Sequence, residues 1–195
     1  LTINPNEGIW DGKAENSTFT EGNGTTKTIV DPRRAGYKFT GWTVTEGALF
    51  EDGVFTFHIT DVTLTANWEK VPPTIEISID VNEIVYNAGE NATLTANAEH
   101  ELEITYQWYR STSANFEVNS TTAIAGATDV RYVHLSDETP VGTYYYKAVA
   151  TANGLSTTSN EVVLNVTKNE NLLIINPVQD LVYSGIEQIL LSAAD

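Results

Sequence analysis

Side chains able to carry acid–base or metal chemistry are few in this chain of 195 residues, and they stand far apart. The histidines are His58, His100 and His134, and they lack the close spacing of a metal site. Carboxylates are paired at Glu51-Asp52 and Asp137-Glu138, in segments typical of turns. Glycoside hydrolysis needs two such groups facing each other across a cleft, and small β modules offer little room for one. We therefore expect no enzyme, with no catalytic residue, no cofactor and no metal site.

Strand-like alternation assigns three of the polar side chains to the surface. His58 and His134 fall at outward positions of their segments, so we expect both to be solvated. Lys147 also alternates outward, beside Tyr146. A crosslink between this lysine and an asparagine, formed with loss of ammonia, is therefore not expected.

The charge balance limits the partners. Acidic residues outnumber basic ones by 26 to 10, which gives a formal net charge of −16. Such a field repels nucleic acid and anionic membranes. We therefore do not expect nucleic acid binding. No apolar run approaches the roughly 20 residues of a membrane helix, so we do not expect membrane insertion either.

The absence of cysteine fits a bacterial extracellular protein or a cytosolic one. Because methionine is also absent, we expect a piece of a longer protein.

Alternation of apolar and polar residues dominates the elements that would position any site. Ile75, Ile77 and Ile79 share one face of a strand, and the segments around 94–98 and 162–166 repeat the pattern. Helical spacing is confined to residues 98–104 and 186–194. The sequence therefore predicts an all-β protein, or a small α+β one with a short helix.

Two polar or proline-rich stretches divide the chain. Val71-Pro72-Pro73 favours an extended spacer, because proline cannot donate to a β-ladder. A second break is the polar run at 167–171. We predict modules at residues 1–70 and 71–168, followed by residues 169–195 as the start of a truncated third surface repeat or a tail. That last piece is too short to form a domain alone.

The first module carries an aromatic signature. One aromatic segment runs from Asp31 to Trp42 and ends in Gly36-Tyr37-Lys38-Phe39-Thr40-Gly41-Trp42. A second segment, Leu64-Thr65-Ala66-Asn67-Trp68, follows later in the module. With the earlier Asn6-Glu7-Gly8-Ile9-Trp10, the pattern resembles the Listeria–Bacteroides repeat, the family of the internalin B-repeat. The resemblance implies a small β-grasp-like domain found in tandem on bacterial surface proteins.

Large aromatic residues of a 70-residue domain are needed in its interior. We therefore assign Tyr37, Phe39, Trp42 and Trp68 to the structural core, with Gly41 allowing a bulge between them. Trp10 lies near a turn, and we expect it to be exposed as part of a candidate ligand surface.

The second module carries Trp108 in mid-strand and, further on, the alternating Tyr144 and Tyr146. In immunoglobulin-like sandwiches a strand-C tryptophan packs on an inter-sheet disulfide, and a tyrosine two residues before the second cysteine forms a corner. The pattern resembles bacterial immunoglobulin-like domains of cell-surface proteins over residues 72–168. The resemblance implies that Tyr144 is the corner, that Tyr146 takes the second cysteine position, and that Ala96 faces it.

These patterns favour a non-catalytic, extracellular segment of a bacterial cell-surface or secreted protein, acting as stalk or adhesive modules. Its partners would be other modules of the same protein, together with a host protein or a glycan. The alternative is a glycan-binding accessory region of a secreted carbohydrate-active enzyme. Tyr109 and Tyr145 alternate outward and are the candidate ligand surface for that role.

Overall fold

The structure, a computed structural model, describes residues 1–168 and is all-β over that range. The predicted helix at 98–104 is wrong, because strand pairing continues to Glu99 and a bend follows. The second predicted helix and the whole segment 169–195 lie outside the described residues. In the described part, no helix is long and apolar enough to cross a membrane.

The first half of the described chain forms two small sheets. A four-stranded sheet has the order β2-β1-β7-β4, in which β1 and β7 run parallel in the middle, consistent with the predicted β-grasp-like domain. A three-stranded sheet of order β3-β6-β5 lies beside it. The strands are β1 (Thr2–Asn4), β2 (Ser17–Thr18), β3 (Thr26–Thr28), β4 (Tyr37–Val44), β5 (Leu49–Glu51), β6 (Val54–Thr56) and β7 (Thr63–Lys70).

A hydrophobic cluster joins these two sheets. Ile3 and Leu64 project from the central parallel strands and are fully buried. Phe55 of β6 and Phe57 after it pack edge to face at 5.1 Å and close the cluster from the other sheet. The register of β4 against β7 shifts between Phe39 and Gly41, which places the predicted bulge at the glycine.

The second half is an immunoglobulin-like β-sandwich. One sheet has the order β12-β10-β8, and the other has the order β11-β13-β15-β9, with β14 paired to the end of β13. The strands are β8 (Thr74–Ile79), β9 (Glu83–Val85), β10 (Asn91–Glu99), β11 (Thr105–Ser111), β12 (Arg131–Leu135), β13 (Gly142–Ala152), β14 (Leu155–Thr158) and β15 (Val162–Thr167).

In each half, the chain enters at one end of the domain and leaves at the opposite end. Thr2 pairs with Thr63, seven residues before Lys70, so the start of β1 lies about 23 Å from the point where β7 ends. In the sandwich, β8 begins at the pole where β13 turns back at Ala152. Strand β15 ends beside Gly142, at the opposite pole. The chain thus enters and leaves each half at opposite ends.

Candidate functional site

The centre of the sandwich is built around Trp108 on β11, which is completely buried. Its indole N–H donates to the carbonyl of Asp129 at 2.9 Å, so the ring is fixed as well as enclosed. Ala96 of β10 and Tyr146 of β13 belong to the same buried cluster. A small side chain facing a large one fills the space that a disulfide would occupy in a related sandwich.

Tyr144 lies two residues before Tyr146 on the same inward face of β13. Its hydroxyl donates to the carbonyl of Pro140 at 2.7 Å, four residues upstream. This is the hydrogen bond of a tyrosine corner, and it fixes the entry into β13. The geometry is the one that the sequence spacing implies.

The surface position expected for His134 is wrong, because the side chain is fully buried. Strand β12 turns His134 and Tyr132 inward, and it leaves the apolar Val133 and Leu135 about half exposed. Nδ1 of His134 lies 2.6 Å from the hydroxyl of Tyr146, and Nε2 lies 3.2 Å from the Thr139 hydroxyl. A neutral imidazole satisfies both contacts, with one ring nitrogen donating and the other accepting.

Glu138 connects this buried pair to the rim of the sandwich. Its carboxylate accepts hydrogen bonds from Arg110, at 2.6 Å, and from the hydroxyl of Tyr132. Burial alone would raise the pKa of Glu138, but the hydrogen bonds from Tyr132 and Arg110 hold it below its ordinary value. For His134, burial lowers the pKa, the charge of Arg110 adds to that effect, and Glu138 opposes it. The polar network is therefore arranged around a neutral histidine and an ionised glutamate.

Tyr109 and Tyr145 share the outer face of the second sheet, as their alternation predicts. Tyr109 pairs with Lys147, and Tyr145 pairs with Ser111, so the two rings are diagonal neighbours on adjacent strands. Both are half-buried. Lys147, directly opposite Tyr109, donates to the Phe116 carbonyl at 2.7 Å and lies 3.6 Å from Glu161, so a loop and the residue before β15 hold it against the face.

Trp10 is buried, with 4% of its surface exposed, which corrects its assignment to a ligand surface. Its indole N–H donates to the carbonyl of Val30 at 2.9 Å, and its ring packs edge to face on Phe19 at 5.7 Å. Lys13 pairs with Trp10 through both backbone groups and closes the turn. The turn near Trp10 is real, but it folds the side chain into the hydrophobic cluster.

Four further aromatic residues of the first half, on β4 and β7, form a strip on the cluster face of the four-stranded sheet. Phe39 packs edge to face on Trp42 at 5.2 Å and on Trp68 at 5.6 Å. Tyr37 continues the strip, with the Arg34 guanidinium 3.9 Å above its ring. All four aromatic residues are half-buried. Trp42 packs against the hydrophobic cluster, and all four rings keep part of their surface open to solvent.

The two halves meet at a junction formed by Gly36, Lys70, Val71, Glu101 and Asn153. The Gly36 N–H donates to the carboxylate of Glu101 at 2.9 Å, and its carbonyl accepts from the amide of Asn153 at 2.9 Å. Lys70 donates to the carbonyl of Asn153 at 2.9 Å. Each bond joins a residue before the proline pair to one in a loop of the sandwich.

The predicted spacer Val71-Pro72-Pro73 is bonded both to the first half and to the sandwich. The Val71 N–H donates to the carbonyl of Gly36 at 3.1 Å, and its own carbonyl lies 3.0 Å from Nε2 of His100. Pro73 is fully buried. Gly36 has a φ of +74°, and a side chain there would press on Leu102 across the junction. The connection is consequently a packed contact and not a free linker.

Sequence reasoning did not identify the junction residues or the partners of His134. One signal was available: Asn153-Gly154 is the dipeptide typical of a two-residue hairpin, and both residues have positive φ. It marks the turn that contacts the first half. Among residues 1–168, no group of three or more His, Asp or Glu side chains is arranged to hold a metal ion.

Comparison with known proteins agrees with the signature of the first half. Residues 1–72 match the family model of the divergent InlB B-repeat domain. No curated protein matches the chain. Repeats of this family occur in bacterial surface proteins. Residues 1–72 are therefore similar to InlB-type B-repeat domains, which supports the predicted repeat.

Proposed function

We propose that this segment is a load-bearing and adhesive part of a bacterial cell-surface or secreted protein, in which the B-repeat is followed by a bacterial immunoglobulin-like domain. The observation that carries the proposal is the direction of the chain. It enters and leaves each half at opposite ends and crosses the junction through a bonded connection. Modules joined in this way lie in series and hold a distal head away from the cell. Their partners are other modules of the same protein and a host protein or glycan.

The pairing of the terminal strands supports a role under load. In the first half, β1 and β7 are the entering and leaving strands, and they are parallel neighbours. In the sandwich, the leaving strand β15 has a parallel neighbour in β9, which is the second strand and follows the entering strand β8. A force applied between the ends of the chain pulls such strands past each other. Because the ladder bonds of both pairs then share the load, separation requires several bonds to break together.

Force spectroscopy tests this role directly. The chain is held at Leu1 and at Lys168 and then extended. We expect two separate unfolding events, which release roughly 220 Å and 310 Å of chain at about 3.5 Å per residue after subtraction of the folded length. A matched attachment at Leu1 and Asp52 loads the first half differently and should unfold it at lower force. Equal forces in the two geometries, or one gradual extension, would count against load bearing.

The extracellular setting has its own test. Antibodies against residues 1–168 should label intact cells of the source bacterium without permeabilisation. The setting rests on the B-repeat, because repeats of this family occur in bacterial surface proteins. Labelling that appears only after permeabilisation would contradict it.

One observation favours a second candidate, a glycan-binding accessory region of a secreted carbohydrate-active enzyme. Tyr109 and Tyr145 are diagonal neighbours on an outer sheet face, where two rings can stack on successive sugar units. A glycan array and calorimetry on the chain test this role. Binding that Tyr109→Ala and Tyr145→Ala abolish would support the second candidate over the first.

A further inference from the structure

The half-buried aromatic strip lines an open groove that the hydrophobic cluster does not fill. Its floor is formed by Tyr37, Phe39 and Trp68, and its rim carries Glu7, Arg33 and Glu101. We call it the Trp68 groove. Glu101 belongs to the sandwich, so the rim is complete only where the two halves meet. Small domains use nearly all of their large aromatic side chains in the core, which makes three half-buried rings in the lining of one groove unusual.

The floor is rigid. The indole N–H of Trp68 donates to the Pro5 carbonyl at 3.1 Å, and a side chain at Gly8 would collide with the ring. Phe39 packs edge to face on Trp68, and Arg34 covers one face of Tyr37. Each ring is thus held by a neighbour before any ligand arrives. A preformed floor of this kind loses little side-chain entropy on binding.

The rim offers hydrogen-bonding groups of both signs and almost no net charge. Arg34 is paired with Glu7. Arg33 is exposed, and its guanidinium makes no hydrogen bond or ion pair with any residue of the range 1–168. Glu101 uses one carboxylate oxygen for the Gly36 N–H and keeps the other available. The lining of the groove therefore includes one donor group and one acceptor oxygen that are available to a ligand.

We propose that the Trp68 groove binds a neutral pyranose unit of a polysaccharide. The C–H face of a pyranose ring is flat and apolar and fits an aromatic floor, while its hydroxyls donate to Glu101 and accept from Arg33. The neutral class follows from charge: the rim has no cationic excess, and the chain carries −16, which repels uronic acids and sulfated sugars. The groove is lined by the first half and by Glu101 of the sandwich, its lining does not include Tyr109 or Tyr145, and its role is independent of load bearing.

The test is calorimetry and NMR on the full chain with four named probes: cellohexaose, mannohexaose, galactohexaose and hexagalacturonate. At least one neutral hexasaccharide should bind with a Kd on the order of 1 mM or tighter. It should shift the indole N–H resonance of Trp68. Hexagalacturonate should bind more weakly than that neutral sugar.

Variants separate this groove from the outer face of the sandwich. Arg33→Ala removes an exposed group with no internal partner, and it should weaken binding roughly tenfold by deleting one charged hydrogen bond. Phe39→Leu keeps an apolar side chain and should weaken binding through loss of a ring face. Tyr109→Ala and Tyr145→Ala should leave the Kd unchanged. The proposal is overturned if no neutral hexasaccharide binds with a Kd of about 1 mM or tighter, if hexagalacturonate binds more tightly, or if Tyr109→Ala loses binding and Arg33→Ala retains it.

Discussion

The hydroxyl of Tyr146 lies 2.6 Å from Nδ1 of His134, and both side chains are fully buried between the two sheets of the sandwich. Tyr146 occupies the strand position that a cysteine takes in disulfide-linked sandwiches. Here a hydrogen bond joins β13 to β12, on the opposite sheet, where a covalent bond would join β13 to β10. The link between the sheets has therefore been moved by one strand and made dependent on protonation.

Tyr146→Phe should destabilise the sandwich by about 1–3 kcal/mol, because it leaves a buried histidine nitrogen without its partner. The measurement is the midpoint of urea unfolding at pH 8. Tyr145→Phe is the matched control, since its half-buried ring lies on the outer face, and it should change the midpoint little. A midpoint in Tyr146→Phe equal to that of the control would show that the hydrogen bond contributes nothing.

Stability should fall in acid because of His134. Burial lowers the pKa of this imidazole below its ordinary value of 6.5, so the unfolded chain takes up the proton before the folded one. The contribution is complete above pH 6.5 and declines as the pH falls from there toward the lowered value. Glu138, whose pKa also lies below its ordinary 4.5, adds a second decline at lower pH.

The measurement is the urea midpoint as a function of pH, from 8 down to 4. His134→Gln should flatten the decline between pH 6.5 and 5, although its stability at pH 8 is lower. His58→Gln is the control, because His58 is exposed, and its curve should follow that of the unaltered chain. A decline that persists in His134→Gln would assign the acid sensitivity to other groups.

Tyr144→Phe should cost about 1 kcal/mol, the value of a single hydrogen bond. The substitution removes only the hydroxyl that donates to the Pro140 carbonyl at 2.7 Å and keeps the ring in place. Tyr145→Phe, one residue later on the opposite face, is again the comparison. Equal unfolding midpoints for the two variants would mean that the corner bond does not stabilise the fold.

The sequence predicted those parts of the fold in which local pattern and tertiary packing agree. Alternation gave the strands, and the spacing of Trp108, Tyr144 and Tyr146 gave the sandwich. His134 was misassigned because Val133 and Leu135 are more apolar. A rule based on hydrophobicity points those two side chains inward and His134 outward, which is the opposite of the actual orientation. The actual orientation depends on Tyr146, which lies 12 residues further along the chain on another strand. No local pattern contains that information.

The positions of Trp10 and of the junction residues also depend on contacts with distant parts of the chain, which the sequence pattern does not show. A turn beside an aromatic residue predicts exposure only if nothing lies over the turn, and the carbonyl of Val30 reaches the indole from 20 residues away. The proline pair was expected to separate the modules. Contacts from Glu101 and Asn153 instead hold Gly36, which is 117 residues from Asn153 in the chain. Interfaces between modules depend on such long-range pairs and leave no periodicity in the sequence.

The junction supports a final prediction, that Asn153→Gly loosens the two halves without unfolding either. Glycine tolerates the φ of +52° at this position, so the hairpin turn is kept. The amide that donates to the Gly36 carbonyl is lost. We expect the two halves of the unaltered chain to tumble together, and those of the variant to show shorter, separate rotational correlation times in NMR relaxation. Protease should then cut at 71–74 faster than in the unaltered chain.

Asn115→Gly is the matched control for this change. Asn115 also has a positive φ, of 55°, and its backbone N–H contacts Glu161, within the sandwich and not at the junction. Its substitution alters the unfolded chain in the same way and should leave both relaxation and cleavage at 71–74 unchanged. If Asn153→Gly tumbles as one body and resists cleavage like Asn115→Gly, the bond from Asn153 is not what holds the halves together. The bond from the Gly36 N–H to Glu101 would then be removed next with Glu101→Ala. Glu101→Gln is its control, because an amide oxygen can still accept from the Gly36 N–H. If Glu101→Ala loosens the two halves and Glu101→Gln does not, the acceptor oxygen of this side chain is what holds them together.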